Sequence, residues 1–107
     1  MAVEGIYVEA ARVFSLETRL GKAVEEAAEL ISAIQHWRDN RISDLELADE
    51  IADMEIMCHH LRLVVGEGMV DVRRGIKQRR LRQLVDFAAV AIEQKQDWVV
   101  PQYLVDG

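Results

Sequence analysis

Apolar residues recur at spacings of three and four along most of the chain, which is the pattern of amphipathic helices that bury one face. The first such segment, residues 3–14, predicts a short helix. Ser15 can cap a second helix, whose regular body is predicted over residues 20–38. Because glycine costs roughly 1 kcal/mol inside a helix, Gly21 moves the expected start of that helix towards Lys22.

Two further helices follow. The run Ser43-Asp44-Leu45-Glu46 is a capping box, in which a serine hydroxyl and a glutamate carboxylate each accept from the other's free backbone N–H. It predicts a third helix that continues to about Val65. The glycines of residues 66–68 are expected to end that helix. A fourth helix is predicted from about Met69, and it either continues to Gln94 or restarts on the way.

Length and composition favour a small helical domain. The 107 residues are expected to form one domain, with its core over about residues 6–94 and a C-terminal tail over residues 95–107. A single proline and few aromatic residues favour helices over sandwiches or barrels, so the predicted fold class is all-α. A chain of this size buries only roughly 60–70% of its extended surface. Association with a second copy would therefore strengthen the core.

Charge and cysteine content restrict the partners. The formal net charge of −6 gives no basic footprint for nucleic acid. No apolar run approaches the ~20 residues of a membrane span. The N-terminus lacks the basic start of a signal peptide, and Cys58 is the only cysteine, which fits a reducing compartment. We expect a cytoplasmic protein with neither nucleic acid nor membrane as a partner.

Two carboxylates of the third helix lie where a core is expected. A helix turns about 100° per residue, so Met57 and Val64 lie within about 40° of Asp53. Glu50, at about 60°, falls inside the same apolar arc. Ionised carboxylates rarely occupy a core unless they are paired or bound to metal. The pattern predicts that Glu50 and Asp53 point inward for such a reason.

The second helix carries a similar pair. Glu26 lies at the edge of its apolar arc, Glu29 lies just beyond it, and Lys22 is one turn earlier on the same side. If the two helices pack antiparallel, four carboxylates converge at one point. Most glutamate pairs on helices are simply solvated, and this is the alternative for Glu26 and Glu29 taken alone. The occurrence of two such pairs on consecutive helices favours a site.

All-oxygen ligands suit hard cations, Mg²⁺ or Mn²⁺. The neighbours Cys58, His59 and His60 do not suggest zinc, because adjacent helical residues diverge by about 100°. We expect structural or surface roles for these three. A di-iron bundle requires Glu-x-x-His motifs, and no glutamate here has a histidine three residues on.

A family resemblance joins these residues. The run Lys22-Ala23-Val24-Glu25-Glu26-Ala27-Ala28-Glu29-Leu30, followed by Asp49-Glu50-Ile51-Ala52-Asp53, resembles the Glu-x-x-Glu and Glu-x-x-Asp signature of MazG-like all-α nucleoside triphosphate pyrophosphohydrolases. The likeness continues through Asp53-Met54-Glu55-Ile56-Met57 and Lys77-Gln78-Arg79-Arg80-Leu81, so that it covers roughly residues 6 to 82. The tail carries no motif of the family.

The resemblance implies a four-helix bundle completed by homo-oligomerisation, as a dimer or a tetramer. It also implies Mg²⁺, or Mn²⁺ in its place, held by Glu26, Glu29, Glu50 and Asp53. The implied reaction is hydrolysis of an NTP or dNTP to the monophosphate and pyrophosphate, as in clearance of the nucleotide pool. Glu29 is a candidate to help deprotonate the attacking water.

Positive side chains are expected at the substrate's phosphates. Lys22 lies on the carboxylate side of the second helix, and Lys77 and Arg80 match a basic pair of similar sequences. The alternative for the last two is a solvated basic face. Two other functions stay open at this point: a non-catalytic helical interaction module of the same fold, and a phosphoribosyl-ATP pyrophosphohydrolase.

Overall fold

The computed structural model describes residues 3–94, and within this range the chain is entirely helical apart from short connections. The four helices are α1 (Val3–Val13), α2 (Leu16–Arg38), α3 (Asp44–Val65) and α4 (Glu67–Glu93). No strand occurs in the described range, which confirms the all-α class. The predicted tail over residues 95–107 lies outside the described residues.

The start of α2 differs from the prediction. Ser15 caps the helix as expected, with its hydroxyl oxygen accepting from the Thr18 backbone N–H at 3.1 Å. The helix then begins at Leu16, so the expectation of a start near Lys22 is wrong. The satisfied cap and the hydrogen bonds that continue past Gly21 outweigh the roughly 1 kcal/mol that glycine costs there.

Local hydrogen bonds define the turn between α2 and α3. Asn40 adopts a left-handed conformation with φ of 59°, which asparagine tolerates better than most residues. The Arg41 N–H donates to the His36 carbonyl at 2.8 Å and closes the end of α2. The predicted capping box is confirmed: Ser43 N–H donates to Glu46 Oε2 at 2.9 Å, and Glu46 N–H donates to the Ser43 hydroxyl at 3.1 Å.

A side-chain bond ties the two helix ends together. The indole N–H of Trp37, in the last turn of α2, donates to Asp44 Oδ1 at the start of α3, at 2.8 Å. With a connection this short, the two helices run antiparallel and pack along their length. The residues that carry the candidate chemistry on α2 therefore face those on α3.

The boundary between α3 and α4 is a single residue. Gly66 has a φ of 111°, which side chains with a Cβ rarely adopt, and α4 begins at the next residue. The predicted start near Met69 is therefore two residues late, because the single residue Gly66 is enough to separate the two helices. The fourth helix then continues without restarting to Glu93.

Contacts divide the chain into two compact units, Met1–Val65 and Gly66–Gly107. In the first unit, α2 packs on α3, and α1 reaches α3 through Tyr7, whose ring stacks on His59 at 4.8 Å and meets the edge of His60 at 5.1 Å. The buried apolar side chains described in the first unit are few, and two of the four are alanines: Tyr7, Ala23, Ala33 and Met57. Among the described helices, none is long and apolar enough to span a membrane.

Candidate metal centre

Three carboxylates meet between α2 and α3. Glu26 and Glu29 are three residues apart on α2 and therefore share a face, and Glu50 lies opposite them on α3. One carboxylate oxygen from each residue lies within 4.8 Å of one from each of the others. Three of the four predicted ligands thus converge within reach of a single cation.

The burial of these carboxylates is unusual. Glu26 is only 6% exposed, and Glu50 is half-buried. The Oε2 atoms of both residues are buried and have no hydrogen-bond partner among the described residues. A buried carboxylate oxygen without a partner is costly, since it loses water and gains nothing in return. A cation between the helices would remove that cost.

One lysine compensates part of the charge. Lys22, one turn before Glu26 on α2, places its ammonium 2.9 Å from Glu26 Oε1 and 3.7 Å from Glu25 Oε1. The hydrogen bond to Glu26 raises the pKa of Lys22 above its ordinary value of 10.5, with the charge of Glu25 adding to the effect. The lysine therefore stays charged at neutral pH and neutralises one of three carboxylates.

The third carboxylate is the exposed one. Glu29 opens to solvent, and the neighbouring Glu26 carboxylate raises its pKa above the ordinary value of 4.5, with desolvation and the charge of Glu50 adding to the rise. Like charges at this distance favour the protonated form of one partner. Glu29 is thus an accessible carboxylate of the cluster, and its pKa is raised above that of an ordinary glutamate.

Asp53 does not join the group. Its side chain is exposed one turn after Glu50, and it is not among the three whose oxygens converge. The prediction that it points into the core is wrong. The buried residues of α3 are Met57 and His60, and Met54 is half-buried. Asp53 shares the side of the helix that carries Met57 and His60, yet at its own turn it is exposed.

The remaining predicted residues lie elsewhere. Lys77 and Arg80 are on α4, in the second unit, where Lys77 is exposed and Arg80 is half-buried. Their assignment to substrate phosphates stays a prediction. His59 and His60 pack against Tyr7, and Cys58 is exposed, in agreement with the structural and surface roles expected of them.

A cleft of about 360 Å³ opens beside the carboxylates. Glu29 and Glu50 form one part of its lining, and the other lining residues are Ser32, Ala33, His36, Ile42 and Glu46. The sequence analysis did not single out Ser32, His36 or Glu46 as cleft residues. The available signal was spacing: Ser32 and His36 lie three and seven residues after Glu29, and Glu46 lies four before Glu50, so each shares a helix face with a carboxylate.

No protein-family model, curated protein or solved structure matches this chain. The resemblance to MazG-like enzymes therefore depends on the motifs of the sequence.

Proposed function

We propose that the protein is a Mg²⁺-dependent hydrolase that converts a nucleoside or deoxynucleoside triphosphate into the monophosphate and pyrophosphate. The observation that carries the proposal is the convergence of Glu26, Glu29 and Glu50, with two buried carboxylate oxygens that have no hydrogen-bond partner among residues 3–94. A purely structural cluster would be expected to pair those oxygens with donors.

The donor set fits a hard divalent cation. Three carboxylates offer only oxygen atoms, and Mg²⁺ prefers oxygen ligands supplied by a few carboxylates together with water and substrate phosphates. With Lys22 paired to Glu26, the net charge of the cluster is about −2, which balances one divalent ion. Mn²⁺ has the same ligand preference and is expected to substitute.

Each side chain then has a task in the reaction. A bound divalent ion neutralises the triphosphate and lowers the pKa of coordinated water. Glu26, Glu29 and Glu50 would hold the ion, and Glu29, exposed and with a raised pKa, would use its remaining carboxylate oxygen to accept the proton of the attacking water. The water oxygen forms a bond to the α-phosphorus, the bond from that phosphorus to the bridging oxygen breaks, and pyrophosphate leaves with the electron pair.

Three further assignments belong to the proposal and follow the family resemblance. Asp53, one turn after Glu50, completes the ligand set when the ion binds. Lys22, on the carboxylate side of α2, is assigned to the phosphates, and the resemblance implies the same role for Lys77 and Arg80. The active form is a homo-oligomer, which is supported by the large exposed fraction of apolar side chains such as Val24 and Ile31.

A product assay tests the reaction class. Purified protein is incubated with a panel of NTPs and dNTPs, with Mg²⁺ or with EDTA, and the products are separated by ion-exchange chromatography. Monophosphate and pyrophosphate are expected, and only with Mg²⁺. Diphosphate and phosphate would mean that a different bond is cleaved. No turnover by folded protein would favour a non-catalytic interaction module.

Variants test the site. Glu50→Gln and Asp53→Ala are each expected to abolish Mg²⁺-dependent turnover and to leave a helical protein by circular dichroism. Glu55→Gln is the matched control, because Glu55 is an exposed glutamate of α3 that lies outside both the carboxylate group and the cleft. Full activity in either site variant would remove that residue from the assignment.

A further inference from the structure

The cleft beside the carboxylates has two chemically different ends. Glu29 and Glu50 line the end that belongs to the metal centre, while His36 and Glu46 line the cleft nearer the α2–α3 turn. Its volume of about 360 Å³ lies within the roughly 300–1,000 Å³ of small-molecule sites. Ala33, which is buried, and the half-buried Ile42 supply apolar surface to it.

The order of residues along α2 gives the site a direction. The cation Lys22 comes first, the carboxylates Glu26 and Glu29 follow, and His36 comes last, about 10 Å beyond Glu29 along the helix axis. The ammonium attracts phosphate oxygens, whereas neither lysine nor arginine is among the residues that line the cleft in the described range. A triphosphate bound at the carboxylates therefore has its terminal phosphates towards Lys22 and its nucleoside towards the cleft.

Glu46 is the side chain that can discriminate between bases there. Its Oε2 is fixed by the bond from the Ser43 backbone N–H at 2.9 Å, so the carboxylate is held in place before any ligand arrives. An ionised carboxylate only accepts hydrogen bonds. Cytosine and adenine present an exocyclic amino donor on the edge away from the sugar, whereas uracil and thymine present a carbonyl oxygen.

We propose that the cleft binds the base of the nucleotide and that Glu46 selects bases with a 4-amino or 6-amino group, cytosine or adenine, over their oxo counterparts. This inference rests on the proposed function, since it places a nucleotide at the carboxylates. An oxo base bound in the same position as an amino base sets its carbonyl oxygen against the fixed carboxylate, and it must shift to bring its neighbouring ring N–H to Glu46 instead. Two acceptors facing each other lose a bond that water would otherwise supply.

The other polar groups of the cleft suit the rest of a nucleoside. Ser32 and His36 make no side-chain hydrogen bond to any residue of the described range, although both line the cleft. A hydroxyl both donates and accepts, and an imidazole N–H donates, so these two side chains match sugar hydroxyls and the ring carbonyl that cytosine retains. They bind without distinguishing amino from oxo bases, and that leaves the discrimination to Glu46.

The test compares pairs of similar shape that differ in this group and in the protonation of the ring nitrogen beside it, dCTP against dUTP and dATP against dITP. We expect kcat/KM to be about tenfold higher for the amino member of each pair, as for one carboxylate-to-amino contact. Glu46→Gln keeps an acceptor for the Ser43 N–H, because glutamine also completes a capping box, and turns an amide donor towards the cleft. The preference is then expected to fall to parity or to reverse, while Glu55→Gln keeps it.

Binding separates this inference from the proposed hydrolysis. Calorimetry with Mg²⁺ and α,β-imido analogues of dCTP and dUTP measures the preference without turnover. Preferential binding of the amino analogue, lost in Glu46→Gln, supports the inference even if no triphosphate is hydrolysed, an outcome that contradicts the hydrolase proposal alone. Equal affinity for the two analogues, a preference that Glu46→Gln leaves intact, or no binding of either analogue overturns the inference.

Discussion

The ammonium of Lys22 lies 2.9 Å from Oε1 of Glu26, yet Oε2 of the same buried carboxylate has no partner among the described residues. The lysine ammonium therefore pairs with only one of the two carboxylate oxygens of Glu26, the most buried acid in the cluster. Glu26, Glu29 and Glu50 also bring one carboxylate oxygen each within 4.8 Å of one another. The negative charge of the three carboxylates is therefore partly neutralised by Lys22 before a divalent ion binds.

Lys22→Met is expected to make the protein less stable without metal and more dependent on it. Removing the ammonium leaves Glu26 buried beside two other carboxylates with no positive charge against it. The melting temperature in EDTA should fall by several degrees, and the increase on adding Mg²⁺ should be larger than in the wild type. Lys22→Arg, which keeps the charge, is the control. An unchanged melting temperature in EDTA would show that the ion pair contributes nothing.

Glu50→Leu is expected to act in the opposite direction. The substitution replaces a half-buried carboxylate that has an unpartnered oxygen with an apolar side chain of similar size. Such replacements are often neutral or stabilising, here by about 1 kcal/mol, which raises the melting temperature in EDTA by roughly 4 °C for a domain of this size. Mg²⁺ should no longer shift it. A clear fall in the melting temperature of Glu50→Leu in EDTA would mean that Glu50 stabilises the metal-free fold.

Elements governed by local chemistry could be predicted from the sequence, and elements governed by packing could not. The Ser43–Glu46 capping box formed as its residue types require. The start of α2 was misplaced because a weak preference, the cost of Gly21, was given more weight than the cap at Ser15. Asp53 lies on the same side of α3 as the buried Met57 and His60 but is exposed, because burial at each turn depends on whether a neighbouring helix covers that turn, and the sequence alone does not show this.

The cleft shows the same limit in another form. Its lining combines two helix faces and Ile42 of the connecting turn. The spacing from Glu29 to His36 was visible in the sequence, but the separation between α2 and α3 that turns those faces into a cavity is a tertiary property. The carboxylates were found from sequence because charge in an apolar pattern is conspicuous. Ser32 and Glu46 were not, because polar residues on a helix are ordinary.

On acidification, the affinity for Mg²⁺ should begin to fall at a higher pH than it would if the ligand were an ordinary glutamate. The Glu26 carboxylate raises the pKa of Glu29 above 4.5, and a ligand must be deprotonated to bind the ion. Affinity is therefore expected to fall as the pH decreases through that raised pKa, at a pH above 4.5. Calorimetric titrations with Mg²⁺ from about pH 8 down to about pH 4, the range over which histidines and carboxylates titrate, measure this.

Glu29→Gln supplies the control, since the variant binds more weakly but its affinity should vary less with pH. In the metal-free protein, Glu29 has the opposite effect on stability: acidification stabilises the fold. Between 4.5 and the raised pKa the folded state holds more protons than the unfolded state, so Glu29 makes the free energy of unfolding increase as the pH falls. Wild-type affinity that stays constant down to the ordinary range of glutamate would contradict the shift.

His60 is expected to destabilise the fold in mild acid. Burial lowers the pKa of His60 below 6.5, and the charges of Arg19 and His59 add to the effect, while Tyr7 packs on its ring. Its Nδ1 is buried without a partner in the described range. The folded state therefore binds fewer protons than the unfolded state, and this contribution to stability is lost as the pH falls through 6.5.

Thermal melts of the wild type and His60→Met, compared above and below pH 6.5, isolate this term, because Glu29 contributes equally to both proteins. The methionine keeps an apolar contact with Tyr7 and does not titrate. On acidification, the melting temperature should therefore fall further in the wild type than in His60→Met. His36→Gln, an exposed histidine of the same unit, should behave as the wild type does. Parallel pH profiles for the wild type and His60→Met would rule the effect out.

A second copy of the chain is expected to cover part of α2. Val24 is 71% exposed and Ile31 is 65% exposed, and their spacing of seven residues places both on one stripe of the helix. Light scattering on the eluting protein should give a multiple of 12.2 kDa, and Ile31→Lys should reduce it to the monomer because a charge in an apolar contact loses its water. Ile31→Leu should keep the assembly. A wild type that elutes at 12.2 kDa over the whole accessible concentration range would leave this stripe solvated and remove the oligomer from the proposal.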